Sequence, residues 1–393
     1  VKKQVPEYSL PGAVNFADVL SKGRYENLER ATLGPEDIAF LQYTGGTTGV
    51  SKGAVLTHRN LVSHMKQINV WMNLQTGENY TIMSAFPLFH QAGLFLGMIS
   101  LINGATQVAV PNPRDLNFII EAIARYRPQA IVNVPTLFLG LLKHERFRRL
   151  DFSCVEWFLS GAAPFPPEYI KDFEKIVGIG KLVEVLGMTE TSPVHCSLPR
   201  FGLKKAGSVG IPLPDTEVKL VDPETGEIVP PGQPGELIVK GPQVFTIGYH
   251  NKPAETAHTL RDGWIYTGDV CRMDEDGYFY VVDRLKDMVI VSGFKVFTRI
   301  VDDVFMEHPD VDMAATIGLP DPQRPGSEIV ASAIVLKPGV AKSDAVKEKL
   351  TLYMREKVAP YKVPKVIEFM DSLPTSAVGK VLKRELRNQM NPL

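Results

Sequence analysis

The eleven residues from Tyr43 to Gly53 concentrate the residue types that bind phosphate. They comprise four glycines, three threonines, Ser51, Lys52 and two other residues. Glycine lets the backbone approach a phosphate closely, while hydroxyls donate hydrogen bonds and a lysine adds positive charge. The concentration is too high for an ordinary polar connection between a strand and a helix. The sequence therefore predicts a phosphate-binding loop, whose binding residues are Thr44, Gly45, Gly46, Thr47, Thr48, Gly49 and Lys52.

The spacing of this loop differs from that of a Walker P-loop. A P-loop has a glycine directly before its lysine and a serine or threonine after it. Here Ser51 precedes Lys52 and Gly53 follows it. An unrelated P-loop NTPase is therefore disfavoured.

Other polar residues that could do chemistry stand at wide intervals along the chain. Each also has an ordinary structural explanation, because a Thr-Glu pair after a strand is often a simple turn and an Asp–Arg pair is commonly on the surface. A histidine can belong to the core or its edge, and lysines near a terminus are mostly solvated. Taken singly, these residues do not identify a site; they are His90, Thr189, Glu190, Asp269, Arg284 and Lys380.

Composition and charge exclude several classes of function. The chain has 393 residues, 44% of them hydrophobic and 22% charged, with a formal net charge of −1. This is enough for two or three globular domains, and the near-neutral charge argues against a nucleic-acid-binding protein. Cys154, Cys196 and Cys271 are far apart, so neither a disulfide framework nor a zinc site is expected, which fits a reducing, cytoplasmic compartment. The apolar stretch around Gly93–Leu101 is too short to span a bilayer.

From Asp37 to about Gly187, apolar runs alternate with helical patterns. This alternation predicts a mainly parallel sheet with helices on its faces. The expected strands are Ile38–Tyr43, Thr81–Phe86, Thr106–Val110, Ala130–Val134, Val155–Ser160 and Leu182–Leu186. The expected helices are Arg59–Trp71, Leu116–Tyr126, Leu137–His144 and Pro167–Val177.

The pattern changes after Ala206. Short strands separated by Pro/Gly turns predict a β-rich, barrel-like subdomain, with strands at Glu217–Val221, Glu236–Lys240, Tyr278–Val282 and Met288–Val291. A smaller α+β unit follows from about Leu285, with Ser343 as a helix N-cap. Its expected elements are a helix at Asp302–His308, strands at Ala314–Gly318, Ile329–Leu336 and Lys365–Phe369, a helix at Asp344–Lys357 and a basic closing helix. The expected α/β fold thus divides into residues 1–284, of which about 206–284 are β-rich, and 285–393.

Five ordered segments give most of the chain a resemblance to a known family. The segment around the phosphate loop is similar to the signature loop of the adenylate-forming superfamily, which includes acyl- and aryl-CoA ligases. The chain as a whole resembles bacterial long-chain fatty-acid–CoA ligases. The resemblance implies an enzyme that uses ATP and Mg²⁺ to convert a medium- to long-chain fatty acid to acyl-AMP, and coenzyme A to form the thioester. The matching segments are Phe40–Asn60, Gly235–Gln243, Tyr266–Asp269, Val281–Phe294 and Pro374–Arg387.

The resemblance implies roles for the residues that bind the nucleotide. Thr189 would donate to a phosphate, and Glu190 would bind Mg²⁺, which needs one or two carboxylate oxygens besides water and phosphate. Asp269 and Arg284 would bind the ribose hydroxyls. The wall against the adenine would be formed by Gly161, Ala162, Ala163, Leu186 and Gly187.

The resemblance also implies a mobile C-terminal unit. Lys380 matches the catalytic lysine, which would hold the substrate carboxylate and offset charge at the α-phosphate, an effect of roughly a hundredfold or more in rate. Lys286 matches the hinge. Gly293 would face the acyl-adenylate in the second half-reaction, where it leaves room for the thiol of coenzyme A. His90 would border the acyl pocket; its apolar neighbours would suit an acyl chain or, equally, an ordinary core, and they are Phe86, Phe89, Leu94, Phe95 and Leu96.

Three features depart from the family's pattern. Leu186 stands where an aromatic residue usually stacks on adenine. Without this stacking, nucleotide binding is expected to be weaker by about 1 kcal/mol. The segment Lys295–Ile300 lacks the proline and the glutamate of the usual Asn-Val-aromatic-Pro-x-Glu sequence, which bears on the geometry facing coenzyme A. About forty residues precede the phosphate loop, whereas relatives carry a longer stretch there. A longer parent chain is one explanation, and an impaired form is the other.

Two other functions stay open beside the CoA ligase. One is a ligase that does not pass the acyl group of the acyl-AMP to coenzyme A, and the other is a catalytically silent nucleotide- or acyl-binding relative. The expected partners are small molecules: fatty acid, ATP and coenzyme A. Between Lys347 and Leu393 there are ten Lys/Arg and five Asp/Glu. This excess could meet coenzyme A phosphates or the inner face of an anionic membrane, or be a solvated surface; a homodimer also stays open.

Overall fold

The computed structural model describes residues 9–44, 51–74, 80–376 and 379–391. Five of the residues predicted to bind phosphate lie outside the described residues: Gly45, Gly46, Thr47, Thr48 and Gly49. Their described neighbours, Thr44 and Lys52, show where the loop starts and ends. Within these ranges, no helix is both long and apolar enough to cross a membrane.

A β-hairpin precedes the central sheet and carries the predicted phosphate loop. The elements of this region are α1 (Phe16–Gly23), β1 (Ile38–Thr44), β2 (Lys52–Thr57) and α2 (His58–Met72). Strands β1 and β2 are antiparallel and place Thr44 opposite Lys52, so the two ends of the loop are neighbours. Strand β2 was not predicted. The helix begins close to its predicted start, because Thr57 caps it by accepting a hydrogen bond from the backbone N–H of Asn60.

The central sheet has seven strands in the order β4-β3-β5-β6-β7-β8-β9. Strands β3 to β7 are parallel, as predicted, and β8 and β9 extend the sheet antiparallel. The strands are β3 (Thr81–Ser84), β4 (Thr106–Ala109), β5 (Ala130–Asn133), β6 (Trp157–Ser160), β7 (Leu182–Gly187), β8 (Val194–Ser197) and β9 (Ile211–Pro212). The helices are α3 (Gln91–Ile102), α4 (Leu116–Tyr126), α5 (Pro135–Leu142), α6 (Glu145–Arg148) and α7 (Pro167–Val177).

Helices cover both faces of this sheet, because alternate residues of each strand point to opposite sides. On one face, Ile131 and Phe158 pack with residues of α4, α5 and α7. On the other face, Val132 and Trp157 pack with residues of α2 and α3. Helix α3 was not predicted as a helix, since its apolar residues surround it on all sides and leave no periodic pattern.

The predicted β-rich subdomain is confirmed as an antiparallel half-barrel sheet of five strands. Its strands are β10 (Glu217–Val221), β11 (Gly235–Lys240), β12 (Leu260–Arg261), β13 (Trp264–Met273) and β14 (Phe279–Arg284), with α8 (Pro253–Thr259) beside them. The long strand β13 is central, since it pairs with β11, β12 and β14. The predicted strand Met288–Val291 does not join this sheet; it belongs to a hairpin in the C-terminal unit.

In its described residues, the C-terminal unit combines a hairpin, a three-stranded sheet and three α-helices. Its elements are β15 (Val289–Val291), β16 (Phe294–Val296), α9 (Thr298–Met306), β17 (Val311–Pro320), β18 (Glu328–Leu336), α10 (Asp344–Lys357), β19 (Val366–Met370) and α11 (Lys383–Met390). Ser343 caps α10, as predicted, by accepting from the N–H of Val346. Helix α9 begins four residues earlier than predicted, at Thr298. The α/β fold class is confirmed, while the domain boundaries stay a prediction.

Candidate active site

A cavity of about 620 Å³ opens at the carboxyl ends of the parallel strands, where ligands commonly bind in sheets of this kind. Residues from the hairpin, the central sheet, the half-barrel and the C-terminal unit all line it. Most of the described residues singled out by the sequence therefore lie around one space. They are Thr44, Lys52, His90, Gly161, Ala162, Gly187, Thr189, Glu190, Asp269, Arg284 and Lys380.

Glu190 is a buried carboxylate that faces this cavity, with only 6% of its surface exposed. Its Oε1 accepts a hydrogen bond from the hydroxyl of Tyr249, and the ammonium of Lys52 lies 5.2 Å from the centre of the Tyr249 ring. Burial raises the pKa of Glu190, while the Tyr249 hydrogen bond and the positive charges of Arg284 and Lys52 lower it. Tyr249 thus joins two predicted site residues, although no sequence motif had marked it.

The carboxylate of Glu190 fits a Mg²⁺ ion that is bound mainly by phosphate oxygens and water. Such an ion needs one or two protein carboxylates. In the part of the chain that the structure describes, no group of three or more His, Cys, Asp or Glu could form an all-protein metal site. Since one carboxylate is enough for such an ion, Glu190 is suited to share a cation with a bound nucleotide.

Gly187 and Gly161 keep the backbone close to the cavity. A Cβ on Gly187 would come within 1.9 Å of the carbonyl oxygen of Pro193, so no side chain fits there. A Cβ on Gly161 would meet the side chain of Val185 at 2.8 Å. Position 187 consequently requires glycine if the strand ends are to pack as they do, whereas a side chain at position 161 would have to displace Val185.

Asp269 and Arg284 form a cross-strand pair on β13 and β14. The distance from Arg284 Nε to Asp269 Oδ1 is 2.9 Å, and the side chain of Asp269 is only 6% exposed. The charge of Asp269 is the main cause that raises the pKa of Arg284. The pair lines the cavity instead of lying on the open surface, so a carboxylate and a guanidinium are both held where a ligand could reach them.

Lys380 comes to the cavity on a tight turn ahead of α11. The backbone N–H of Ser376 donates to the Lys380 carbonyl over 2.8 Å, and the Lys380 N–H donates to Ser376 Oγ over 3.2 Å. Gly379 in this turn has φ +74°, and a Cβ there would meet Thr136 of α5 at 2.6 Å. This close approach places the turn against the central sheet domain.

The surroundings of Lys380 destabilise its protonated form. Burial lowers its pKa from 10.5 to about 8, and the positive charges of Arg284 and Lys286 add to this effect. Asp269 and Asp287 act in the opposite direction. An anion that binds beside Lys380 would therefore stabilise the protonated form of this lysine.

His90 lies at the N-terminus of α3, where its Nδ1 accepts from the N–H of Ala92 at 3.2 Å. Its ring stacks on Phe86 with centroids 5.7 Å apart. Burial, followed by the charge of Lys380, lowers its pKa. The predicted apolar neighbours line the cavity with the exception of Leu94; those that do are Phe86, Phe89, Phe95 and Leu96.

A second cavity of about 320 Å³ separates the central sheet from the C-terminal unit. It shares Ala162, Gly187, Asp269, Arg284 and Lys380 with the first, so the two cavities adjoin. The remaining predicted adenine-wall and hinge residues lie around this second space: Ala163, Leu186 and Lys286.

Glu184 holds the chain after β6, which contributes Ala162 and Ala163 to the second cavity, next to β7. This buried carboxylate accepts a hydrogen bond from the backbone N–H of Phe165 at 3.1 Å, which ties the turn after β6 to β7. Burial raises its pKa to about 7. The sequence had not singled out Glu184, because its partner is a backbone group nineteen positions away.

Gly293 is not brought together with the other predicted residues. It lies exposed at the tip of the β15–β16 hairpin with φ +88° and lines neither cavity. Its predicted role beside the acyl group therefore requires a different orientation of the C-terminal unit.

The divergent segment after Phe294 contacts the half-barrel. Thr298 donates to Oδ2 of Asp283 from its backbone N–H and, over 2.9 Å, from its hydroxyl. Arg299 donates to the carbonyl of Val281 over 2.7 Å. A proline at position 298 could make neither of the hydrogen bonds from Thr298, so the departure from the usual family sequence creates a contact between the two parts of the chain.

The chain is similar to known proteins in both sequence and structure. Residues 3–250 match the family described as AMP-binding enzyme, and residues 301–380 match its C-terminal domain. A long-chain-fatty-acid–CoA ligase of Escherichia coli is 42% identical over 99% of this chain and 68% of its own length. The ligase of that name from Bacillus subtilis is 41% identical over 94% of this chain and 65% of its own length. The crystal structure of ATP-bound MatB from Rhodopseudomonas palustris superposes with a TM-score of 0.83 at 32% identity, covering 91% of this chain and 69% of MatB.

Proposed function

The chain belongs to the AMP-binding enzyme family, and from that premise we propose that it is a fatty-acid–CoA ligase acting on medium- to long-chain acids. The enzyme would first form acyl-AMP and pyrophosphate from the acid and MgATP, and then transfer the acyl group to coenzyme A. One observation carries the proposal: the charged side chains of Lys52, Glu190, Asp269, Arg284 and Lys380 line a single cavity that continues into an apolar recess.

In this proposal the polar residues bind the nucleotide. Thr44 and Lys52, at the ends of the hairpin loop, together with Thr189, contact phosphates. Asp269 accepts hydrogen bonds from the ribose hydroxyls, held in place by Arg284. Glu190 would hold Mg²⁺, which neutralises phosphate charge when bound.

The adenine would lie in the second cavity. Ala162 and Ala163 leave a flat surface there, next to Gly161 of the first cavity, and Leu186 lines the same space in place of an aromatic ring. Glu184 fixes this wall through the Phe165 N–H. An aliphatic side chain provides contact area without stacking, so the affinity for ATP would rest more heavily on the phosphate and ribose contacts.

Lys380 would be the catalytic group of the first step. Its ammonium can hold the substrate carboxylate beside the α-phosphate and offset the negative charge that builds up during attack. Since ATP and the carboxylate are both anions, their binding raises the pKa of Lys380 and keeps it protonated. His90 borders the same position and, with Nδ1 occupied by the α3 cap, offers its Nε2–H to a substrate oxygen.

The second step would require rotation of the C-terminal unit about Lys286. The hydrogen bonds of Thr298 and Arg299 join residues that follow this position to Asp283 and Val281, which precede it. They therefore hold the orientation in which Lys380 faces the ATP site, and they must break before Gly293 can approach the acyl group. Such a rotation lets one cavity serve two reactions in turn.

The proposal is tested by pyrophosphate release with acids of graded length, with and without coenzyme A. Release that depends on acid, and thioester formation that depends on coenzyme A, are expected. Lys380→Ala should slow the release roughly a hundredfold, whereas Lys175→Ala, which removes an exposed lysine on α7, should not. Release without any thioester would instead identify a ligase that stops at the adenylate, and no release with any acid would overturn the proposal.

We also propose a cytoplasmic enzyme, which fits the three free cysteines. The excess of Lys and Arg in residues 347–393 supports peripheral contact with an anionic membrane. Sedimentation with vesicles that contain phosphatidylglycerol, compared with neutral vesicles, tests this contact, and light scattering tests for a homodimer.

A further inference from the structure

The cavity extends from the nucleotide residues along one face of the central sheet. Gly161, Leu159 and Trp157 are alternate residues of the same stretch of chain, so they share one face of the sheet, and all three line the cavity. In the neighbouring strand β5, Val132 pairs with Leu159 and Ala130 pairs with Trp157. This recess is apolar and has the surface that an alkyl chain requires.

The length of the recess follows from strand geometry. Trp157 precedes Gly161 by four residues, which at about 3.3 Å per residue gives a distance of about 13 Å. An extended alkyl chain advances by about 1.3 Å per carbon, given C–C bonds of ~1.5 Å. An acid whose carboxylate lies beside Gly161 would therefore reach Trp157 with about its tenth carbon.

Trp157 lines the cavity at the end of this stretch that is farthest from Gly161, and its side chain contacts that of Tyr80; we call the two side chains the wall. The indole N–H of Trp157 donates to the hydroxyl of Tyr80 over 2.9 Å. Tyr80 directly precedes β3, and β3 and β6 lie on opposite sides of β5. The bonded pair must therefore extend over β5, where Ala130 is the residue paired with Trp157.

This wall is fixed in position. Trp157 is 3% exposed and Tyr80 is 7% exposed. The Tyr80 hydroxyl in turn donates to Glu156 over 3.3 Å, and Glu156 pairs with Arg200. A side chain held by burial and by a chain of hydrogen bonds cannot easily turn aside for a longer ligand.

We propose that Trp157 sets the upper limit on the acyl chain. Acids of up to about ten carbons fit between the nucleotide site and the indole, whereas longer acids meet the wall. The inference rests on the proposed function, because it takes the acid to enter this cavity, and it narrows the substrate to medium-chain fatty acids.

The test compares Trp157→Leu with Phe158→Leu. Phe158 is the next residue of β6, is fully buried and faces the opposite side of the sheet, so its replacement matches the loss of an aromatic core residue without changing the recess. Binding of saturated acids is measured by calorimetry without ATP, and kcat/KM is measured by pyrophosphate release. If Trp157→Leu proves unstable, Trp157→Phe, which keeps an aromatic ring, replaces it in the same measurements.

In the unaltered protein and in Phe158→Leu, affinity should rise roughly fourfold per methylene up to about ten carbons and then stop rising or fall. We call the chain length at which the affinity stops rising the break. In Trp157→Leu the break should move to longer acids. The affinity for an acid two methylenes longer than the original break, relative to the affinity for an acid at that break, should increase by about tenfold or more. An unchanged break in Trp157→Leu, or the same shift in Phe158→Leu, would overturn the inference.

The two readouts separate this inference from the proposed function. Acid-dependent pyrophosphate release with the same chain-length profile in all variants would support the ligase and refute the role of Trp157. A break in binding that moves in Trp157→Leu, without any pyrophosphate release, would support the limit set by Trp157 and refute the ligase.

Discussion

The pH dependence of acyl-adenylate formation should report the ionisation of Lys380. Burial, Arg284 and Lys286 lower its pKa to about 8, against the opposing effect of Asp269 and Asp287. Only the ammonium form can hold the substrate carboxylate and offset charge at the α-phosphate. About nine-tenths of the lysine is protonated one pH unit below its pKa and about one-tenth one unit above it. Since kcat/KM for ATP reports the enzyme before ATP binds, it should fall about tenfold per pH unit above about pH 8.

The assay is acid-dependent pyrophosphate release between about pH 6 and about pH 10, without coenzyme A, because a thiol ionises in the same range. Lys380→Arg is the control, since a guanidinium stays charged throughout. Its rate should be lower but should not decline above pH 8. A flat profile in the unaltered enzyme, or a decline that persists in Lys380→Arg, would refute the assignment of the catalytic charge to Lys380.

Three substitutions test other contacts of the site. Tyr249→Phe removes a hydrogen bond that lowers the pKa of Glu190, so this pKa should rise. The acidic limb of the kcat/KM profile should then move to higher pH, and the enzyme should require more Mg²⁺. Mg²⁺ titrations of the activity at several pH values would show both effects. Gly187→Ala places a Cβ 1.9 Å from a backbone carbonyl oxygen and should destabilise the protein by about 1–3 kcal/mol, measured by urea unfolding; unchanged stability would contradict the packing described. Thr298→Pro removes both donors to Asp283. The rate of thioester formation from supplied acyl-AMP should therefore rise relative to the rate of adenylate formation. If the ratio of these two rates does not change, the contact does not hold the C-terminal unit in the orientation in which Lys380 faces the ATP site.

The parallel sheet could be predicted because its strands are buried apolar runs separated by periodic helices. The bounds of Leu116–Tyr126 and Pro167–Val177 agree with the structure at both ends, since proline at the first turn and a regular apolar face mark such helices. Strand Lys52–Thr57 was missed because a short run beside a glycine-rich loop has no pattern of its own. Helix Gln91–Ile102 was missed for the opposite reason, as it is apolar on all sides.

The residues that complete the site were harder to find from sequence. Tyr249 meets Glu190 across fifty-nine positions, and Trp157 meets Tyr80 across seventy-seven. Neither belongs to a motif, and either would pass for an ordinary core residue. Such pairs become visible only when the fold brings the elements together. The departure at Thr298 was visible in the sequence, but its bond to Asp283 was not.

The convergence of Lys52 and Lys380 on one nucleotide is tested most directly with an acyl-phosphate derivative of ATP, which acylates lysines beside bound phosphates. Labelled peptides would be identified by mass spectrometry with and without excess ATP. We predict that Lys52 and Lys380 are both acylated and that ATP protects both, whereas ATP does not protect exposed Lys175. Labelling of Lys380 that ATP leaves unchanged, or protection of Lys52 alone, would contradict a site shared by the hairpin loop and the C-terminal unit.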